Sequence, residues 1–375
     1  MWLLTPEQLI AIAAMPMPPL FTALWPALPI AMIIVLAFGF AAWVEPYVLW
    51  FSPARQEGLQ RIGRLASPLV LRFALGAMMV AASLGLLTKQ GVAPFTTPTL
   101  LLPDLALPAH DVLAVGGVQF MLGVLLITGT ATRVAALGVL VLIGYGLAVF
   151  EWQMLDYVLH FALPAFRLAI IGPGAFSLDA HLCRPRNRAA LLSPVLGARA
   201  CQALYRVSLA GVGLTFVYLA LTYKFAQPRL VMTVLADGGI PHFGLGYDVL
   251  ALVMAVVELT AGALLAAGLL VRPVAVLLIG AFTFFAMLLG ESPLLHANLY
   301  AVMVIFVCIG PVWRATPQEA LRDRLAGAGQ GPSTGGGVMS RDRVSAALGQ
   351  PASAAQSFEA TSGSVRPARA QWVAS

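Results

Sequence analysis

Charge is scarce in this chain of 375 residues. Asp, Glu, Lys and Arg make up only 10% of it, whereas 60% is hydrophobic and the mean hydropathy is +0.88. Soluble domains carry about 25% charged residues, so the composition excludes an ordinary soluble protein and indicates a bilayer. Cysteine is also rare: Cys183, Cys201 and Cys308 form no C-x-x-C motif, which argues against a disulfide framework or a thiol relay.

What the chain has in abundance is long apolar segments. The length of each segment is close to that needed to cross a hydrocarbon core of about 30 Å, which is about 17 to 25 residues. We therefore predict an all-α integral membrane protein embedded in a lipid bilayer. The nine predicted transmembrane helices span residues 28–50, 69–87, 112–128, 134–150, 157–171, 203–223, 249–267, 274–289 and 294–309.

The placement of the few basic residues predicts the orientation, because short cytoplasmic loops accumulate Lys and Arg. None precedes Arg55, whereas the loop after the first span is basic, so we place the N-terminus outside. Nine spans then put the C-terminus in the cytoplasm of a bacterial-type inner membrane. The net charge of +6 comes mostly from these inner loops and gives no indication of nucleic-acid binding. The basic residues that fall elsewhere are Lys89, Lys224, Arg229 and, within a span, Arg167.

An internal repeat organises the apolar segments. The stretch VQFMLGVLLITGTATRVAA aligns without a gap on VELTAGALLAAGLLVRPVA, which places Gln119 on Glu258 and Gly123 on Gly262. Four helices per unit is an even number, so both units enter the membrane from the same side, as in parallel-repeat transporters. The predicted regions are an N-terminal segment with one span (1–66), unit 1 (67–182), a basic cytoplasmic linker (183–202), unit 2 (203–313) and a disordered cytoplasmic tail (314–375).

Three motifs resemble the DoxX family of small four-helix membrane proteins. They are GPGAFSLDAHL after an apolar helix, an E-x-x-x-G-x-x-x-x-x-G-x-x-x-R helix, and a first helix that ends in Lys. The family includes the DoxD membrane subunit of thiosulfate:quinone oxidoreductase. The resemblance covers both units and implies the four-helix fold in each. Unit 1 departs from the pattern with Gln119 in place of the acid, and unit 2 ends GPVWRATPQ.

Two charges lie inside predicted spans, where an ionisable residue is costly and is often functional. Glu258 lies near the middle of its span, and Arg167 is placed at a similar depth. Glu258 is either a neutral carboxyl group hydrogen-bonded between helices or the partner of Arg167 across the interface between the units. Arg167 alternatively extends towards the inner surface.

A second polar group maps to the outer side of the membrane. Asp156, His160 and Arg167 share one helical face, and Pro164 on that face is expected to free a backbone carbonyl. His296 and Tyr300 form a similar stripe in unit 2. Such groups suit proton exchange or a transition metal, with His160 and His296 as the candidate ligands, or they simply cap helices. Lys89 and Lys224 are interpreted as anchors at outer helix ends.

Three functions stay open from the sequence. The resemblance implies a quinone-linked redox subunit, in which Glu258, His296 and His160 act on a quinone headgroup, and Arg167, Asp156 and Tyr300 help to bind it. The chain has no recognisable motif for flavin, haem or an iron–sulfur cluster, so a separate redox partner would supply the electrons. The alternatives are a transporter for a small solute, protons or metal that works with a metal-binding partner, and a non-catalytic membrane scaffold.

Overall fold

The structure, a computed structural model, describes residues 20–44, 53–87, 98–103, 105–182, 194–241, 244–289 and 292–311. These residues are helical, with one isolated bridge between Thr99 and Ala106. The helices are α1 (Leu20–Val44), α2 (Pro53–Ser83), α3 (Ala114–Thr128), α4 (Thr132–Phe150), α5 (Trp152–Ile171), α6 (Leu178–Leu182), α7 (Ala198–Leu219), α8 (Pro228–Asp237), α9 (Tyr247–Ala266), α10 (Val271–Leu289) and α11 (Ala297–Ile309). A π-helical turn (Ala220–Phe225) continues α7, and a 3-10 turn (Pro293–His296) precedes α11. The sequence-based assignments for Lys89, Cys183, His242, Glu291, the first 19 residues and the tail after 311 lie outside the described residues.

Six helical segments are long and apolar enough to cross a membrane, which confirms a helical multi-pass membrane fold. They are Ala27–Val44, Arg55–Ser83, Thr132–Phe150, Trp152–Ile171, Arg199–Phe225 and Tyr247–Ala266. Three shorter apolar helices coincide with the remaining predicted spans: Ala114–Thr128, Val271–Met287 and Leu294–Ile309. The count of nine spans stays a prediction.

Several helix boundaries differ from the prediction, among them those of α2 and α5. The basic segment after α1, predicted as a loop, is helical from Pro53 onward and forms the first turns of α2. Proline suits the first turn of a helix, and the following Ala, Arg, Gln, Glu and Leu residues favour helix. An i,i+4 pair between Arg61 and Glu57 at 3.4 Å also forms there. Similarly, α5 begins at Trp152 rather than at Tyr157.

The helices pack in pairs around a buried apolar core. Helix α2 contacts α3 and α11, α4 contacts α5, and α5 contacts α7. Helix α7 also packs along α9, whose other neighbours include α1 and α8. Helix α7 therefore packs on both α5 and α9, and the carboxylates described below lie on these two neighbours of α7.

Glycine permits the two closest helix crossings. A Cβ on Gly76 of α2 would lie 2.6 Å from the carbonyl oxygen of Gly123 in α3. In the same way, a Cβ on Gly213 of α7 would lie 2.5 Å from the carbonyl oxygen of Gly262 in α9. Small residues let helix backbones approach closely in membranes, where van der Waals contact drives association. Both crossings therefore depend on the absence of a side chain.

Candidate functional site

A π-helical turn at the end of α7 sets the geometry of the site. The turn, Ala220–Phe225, carries Tyr223 and Lys224 next to each other. π-helical turns are rare and occur frequently at functional sites. Here the two neighbouring side chains bind carboxylates that belong to different helices, Asp156 of α5 and Glu258 of α9. We call these four residues, Asp156, Tyr223, Lys224 and Glu258, the carboxylate cluster.

Glu258 forms an ion pair with Lys224, between Oε2 and Nζ. The side chains are only 15% and 21% exposed, so water screens the pair poorly. Glu258 lies eleven residues after the start of α9 at Tyr247 and eight before its end at Ala266. A lone carboxylate at such a depth is costly, and an opposite charge lowers that cost. Lys224 therefore makes an acid inside an apolar helix tolerable.

The predicted pairing of Glu258 with Arg167 is wrong, as is the interpretation of Lys224 as a simple helix-end anchor. In α5, Arg167 lies fifteen residues after the start at Trp152 and only four before the end at Ile171. That position is about 6 Å from the helix end at about 1.5 Å per residue, so Arg167 is not near mid-depth. The guanidinium lies 5.3 Å from the centroid of the Tyr205 ring instead.

Asp156 is the second carboxylate of the cluster and is 5% exposed. The Tyr223 hydroxyl donates a hydrogen bond to Oδ2 of Asp156, and Tyr218 interacts with the same carboxylate. No described residue donates to the other oxygen, Oδ1. This oxygen can therefore accept a hydrogen bond from a group that enters the site.

His160 follows Asp156 by one helical turn and is buried on the same face of α5 as Arg167, which confirms the predicted polar stripe. Pro164 has no N–H, so it cannot bond to the His160 carbonyl as an α-helix requires. Asn298 of α11 donates to that carbonyl from Nδ2 at 3.2 Å. The predicted free carbonyl is therefore present, and a side chain from another helix satisfies it. Nε2 of the His160 ring has no partner among the described residues.

An aromatic cluster gathers three of the predicted site residues. The ring of His160 lies 6.4 Å from Phe216, Phe216 lies 5.8 Å from Phe282, and Phe282 lies 5.5 Å from His296. Tyr300 meets Phe282 edge-on at 6.1 Å. His160 and His296 are thus linked through two phenylalanine rings. The described residues include no group of three or more His, Cys, Asp or Glu side chains that could hold a metal ion.

Gln119, which the repeat aligns with Glu258, is bound by hydrogen bonds that stabilise the fold. It is fully buried, and its Oε1 accepts a hydrogen bond from the Leu101 N–H at 3.0 Å. Its amide nitrogen donates to the carbonyls of Met79 and Thr99 and to Ser83 Oγ. These bonds hold the loop before α3 against α2. The neutral amide supplies donors that an ionised acid lacks.

The GPGAFSLDAHL stretch, which the sequence showed only as a motif, connects several helices through hydrogen bonds. Asp179 accepts hydrogen bonds from the N–H groups of Ala131 (2.9 Å) and Thr132 (3.1 Å), at the start of α4. Arg72 donates from Nη2 to the Phe176 carbonyl at 2.6 Å. The motif therefore joins α2, α4 and the segment after α5 at one end of the bundle.

The sequence analysis also did not assign Tyr223 and Asn298 to the site. Lysine occurs only at Lys89 and Lys224, and this rarity was the available signal for the cluster around Tyr223. For Asn298, the available signal was its position as a polar residue within an apolar segment, together with the carbonyl that Pro164 frees on another helix. Tyr223 and Asn298 lie far along the chain from the groups that accept their hydrogen bonds, Asp156 and the His160 carbonyl. Sequence spacing alone therefore could not pair them.

Comparison with known proteins identifies one family. The DoxX family model matches residues 67–152, which run from α2 to the first residue of α5. The carboxylate cluster lies beyond the matched segment. No curated protein and no solved structure matches the chain. The match and the apolar helices agree on one conclusion: the chain is a multi-pass helical membrane protein, and its residues 67–152 match the DoxX family.

Proposed function

We propose that this protein is the membrane subunit of a quinone-linked redox system and that the carboxylate cluster exchanges protons with the quinone headgroup. The observation that carries the proposal is the single π-helical turn that binds two buried carboxylates through adjacent residues. The redox role itself is what the DoxX resemblance implies, and the cluster supplies chemistry that fits it.

The chemistry of the cluster suits this task. Reduction of a quinone to a quinol consumes two electrons and two protons, and buried carboxylates take up and release protons when their partners move. Glu258 forms an ion pair with Lys224, whereas Asp156 has a tyrosine donor and one oxygen without a partner. The two acids therefore differ in the groups that bind them. The electrons would come from the separate partner.

His160 and the aromatic cluster lie next to this group and would form the headgroup contact. His160 is one turn from Asp156 on the same face of α5, and its Nε2 has no partner among the described residues. The rings of Phe216 and Phe282 provide flat apolar surfaces on which a quinone ring can stack. His296 and Tyr300 border the same surface.

Quinone binding to the purified protein tests the proposal. A short-chain ubiquinone is titrated into protein in nanodiscs, and binding is followed by quenching of tryptophan fluorescence. We expect saturable binding that weakens about ten-fold or more, or about 1.4 kcal/mol, in Asp156→Asn and in Glu258→Gln. Glu57→Gln is the matched control, because Glu57 is exposed and should bind as the native chain does. Absence of saturable binding by the native chain would refute the quinone role.

Proton translocation is a second candidate function, favoured by the buried polar face of α5. Asp156, His160 and Arg167 extend over eleven residue steps of this helix, or about 16 Å. Buried ionisable residues along a transmembrane helix frequently mark proton relays. In liposomes with an imposed pH gradient, this function predicts a proton flux that His160→Gln abolishes. Quinone binding without such a flux would leave the redox role alone.

A further inference from the structure

Arg167 is a buried cation whose charge the surrounding protein leaves unbalanced. It is 8% exposed, and its Nε has no hydrogen-bond partner among the described residues. The guanidinium lies over the face of the Tyr205 ring, 5.3 Å from the ring centroid. A cation–π contact contributes about 0.5 to 2 kcal/mol, which is small beside the cost of burying a charge.

A small cavity adjoins this guanidinium. Its volume is about 10 Å³, and its walls are mostly apolar. The polar groups in the wall are Arg167 and Ser208, and the Ser208 hydroxyl donates its proton to the Leu204 carbonyl. Such a cavity holds one occupant the size of a water molecule or a small ion. The cavity is lined by Leu71, Leu163, Pro164, Arg167, Ser208, Val212, Val302, Ile305 and Phe306.

We propose that this cavity binds one monatomic anion, such as chloride, against the Arg167 guanidinium. A guanidinium has five N–H donors and accepts nothing, so a partner inside an apolar wall must be an acceptor. An anion both accepts these hydrogen bonds and neutralises the charge, which a water molecule does not. Carboxylate-bearing metabolites, sulfate and phosphate exceed the space available.

The described residues around the cavity supply further positive charge, and no carboxylate among them lines its wall. Tyr205 donates its hydroxyl to the Gly310 carbonyl, and Arg272 binds the backbone carbonyl of Val307 at the same end of α11. Cys201, which lies near Arg167, directs its thiol hydrogen bond to the Leu196 carbonyl. Arg167 lies four residues from the end of α5, so an ion reaches it from that membrane surface.

Thermal unfolding in different salts tests the site and requires no quinone. The full chain in zwitterionic nanodiscs is heated at constant ionic strength in sodium chloride, bromide, gluconate or sulfate. A ligand that binds only the folded state raises the unfolding midpoint with concentration. We expect chloride and bromide to raise the midpoint by a few degrees relative to gluconate and sulfate, whose anions are too large. Equal midpoints in all four salts, the result for a cavity that holds water, would overturn the proposal.

Variants assign the effect to Arg167. Arg167→Gln should abolish the halide-dependent shift, whereas Arg61→Gln, which removes an exposed guanidinium on α2, should keep it. If Arg167→Gln fails to fold, Ser208→Ala provides the second variant, because it changes the cavity wall without touching the cation. Ser208→Ala should alter the halide concentration that gives half of the shift. A shift that is unchanged in both cavity variants would place the anion elsewhere and contradict the proposal.

Discussion

At the scale of single residues, reach and depth decide which charges pair. From the sequence, Arg167 is the candidate partner of Glu258 because both lie within apolar spans, and Lys224 is interpreted as a helix-end anchor. In the structure, Lys224 lies in the π-helical turn that continues α7, and its long side chain reaches α9. Arg167 lies near the end of α5, eleven residues after Asp156. Depth along the helix, rather than shared burial, therefore selects the partner.

Removal of either member of this pair should destabilise the protein more than removal of both. Lys224→Met leaves a buried carboxylate and Glu258→Gln leaves a buried ammonium group, at a cost of roughly 1 to 5 kcal/mol each. The double variant should recover part of the loss, measured as a coupling between unfolding midpoints in detergent.

The exposed pair Arg61–Glu57 provides the control for that cycle. Its side chains are 72% and 70% exposed, and its coupling should be below about 1 kcal/mol. Strictly additive losses at Lys224 and Glu258 would show that the ion pair contributes no net stability.

At the scale of elements, two pairs of helices cross and turn in the same way. The crossings at Gly76–Gly123 and at Gly213–Gly262 both bring backbones into contact. Helix α3 ends at a left-handed glycine, Gly129 with φ 72°, and Gly268 after α9 has φ 68°. Gly129 and Gly268 correspond in the alignment of the two units, as the predicted repeat requires. Glycine is required there because a Cβ would be strained at positive φ.

Substitution of a glycine at one crossing should separate two effects on stability: the packing of the two helices and the helix propensity of the new residue. Gly213→Ala places a methyl group against the carbonyl of Gly262 and the N–H of Ala266, so α7 and α9 must move apart. We expect a loss of roughly 1 to 3 kcal/mol in unfolding free energy. Gly144→Ala in α4 is the matched control, because its Cβ meets nothing within 4 Å. That control should be neutral or stabilising by up to about 1 kcal/mol. Equal effects in the two variants would contradict close packing at the crossing.

At the scale of the whole molecule, the contacts between the predicted units also recur. The last helix of unit 1, α5, packs on the first helix of unit 2, α7, and the last helix of unit 2, α11, packs on α2, the first transmembrane helix of unit 1. A pseudo-two-fold axis along the membrane normal would relate these two contacts. The two parallel units stay a prediction, in which Asp156 and Glu258 belong to different units and both contact the π-helical turn.

The predicted orientation has a direct test. Nine spans with an outside N-terminus place the C-terminus in the cytoplasm, because basic residues collect in the inner loops. A reporter that is active only in the cytoplasm should give a signal when fused to the C-terminus. The same reporter inserted between Lys89 and His110 should give none. The opposite pattern would invert the topology, and signals at both positions would change the number of spans between them.

The sequence by itself determined the class of the molecule and much of its design. Its hydropathy predicted a helical membrane protein, and its motifs predicted the DoxX family. The period of α5 predicted that Asp156, His160 and Arg167 share a buried face. These features are local or compositional: the length of an apolar run, the 3.6-residue period and the missing N–H of Pro164 act within one segment.

Only the tertiary structure decided which polar groups meet. Tyr223 binds Asp156, Asn298 binds the His160 carbonyl, and Lys224 binds Glu258. Each contact depends on the relative rotation and height of two helices, and a π-helical turn shifts both beyond what an α-helical period predicts. Partner choice in a membrane protein is a property of helix packing, because lipid leaves a buried charge no other way to be satisfied than through a neighbouring helix or a bound ion.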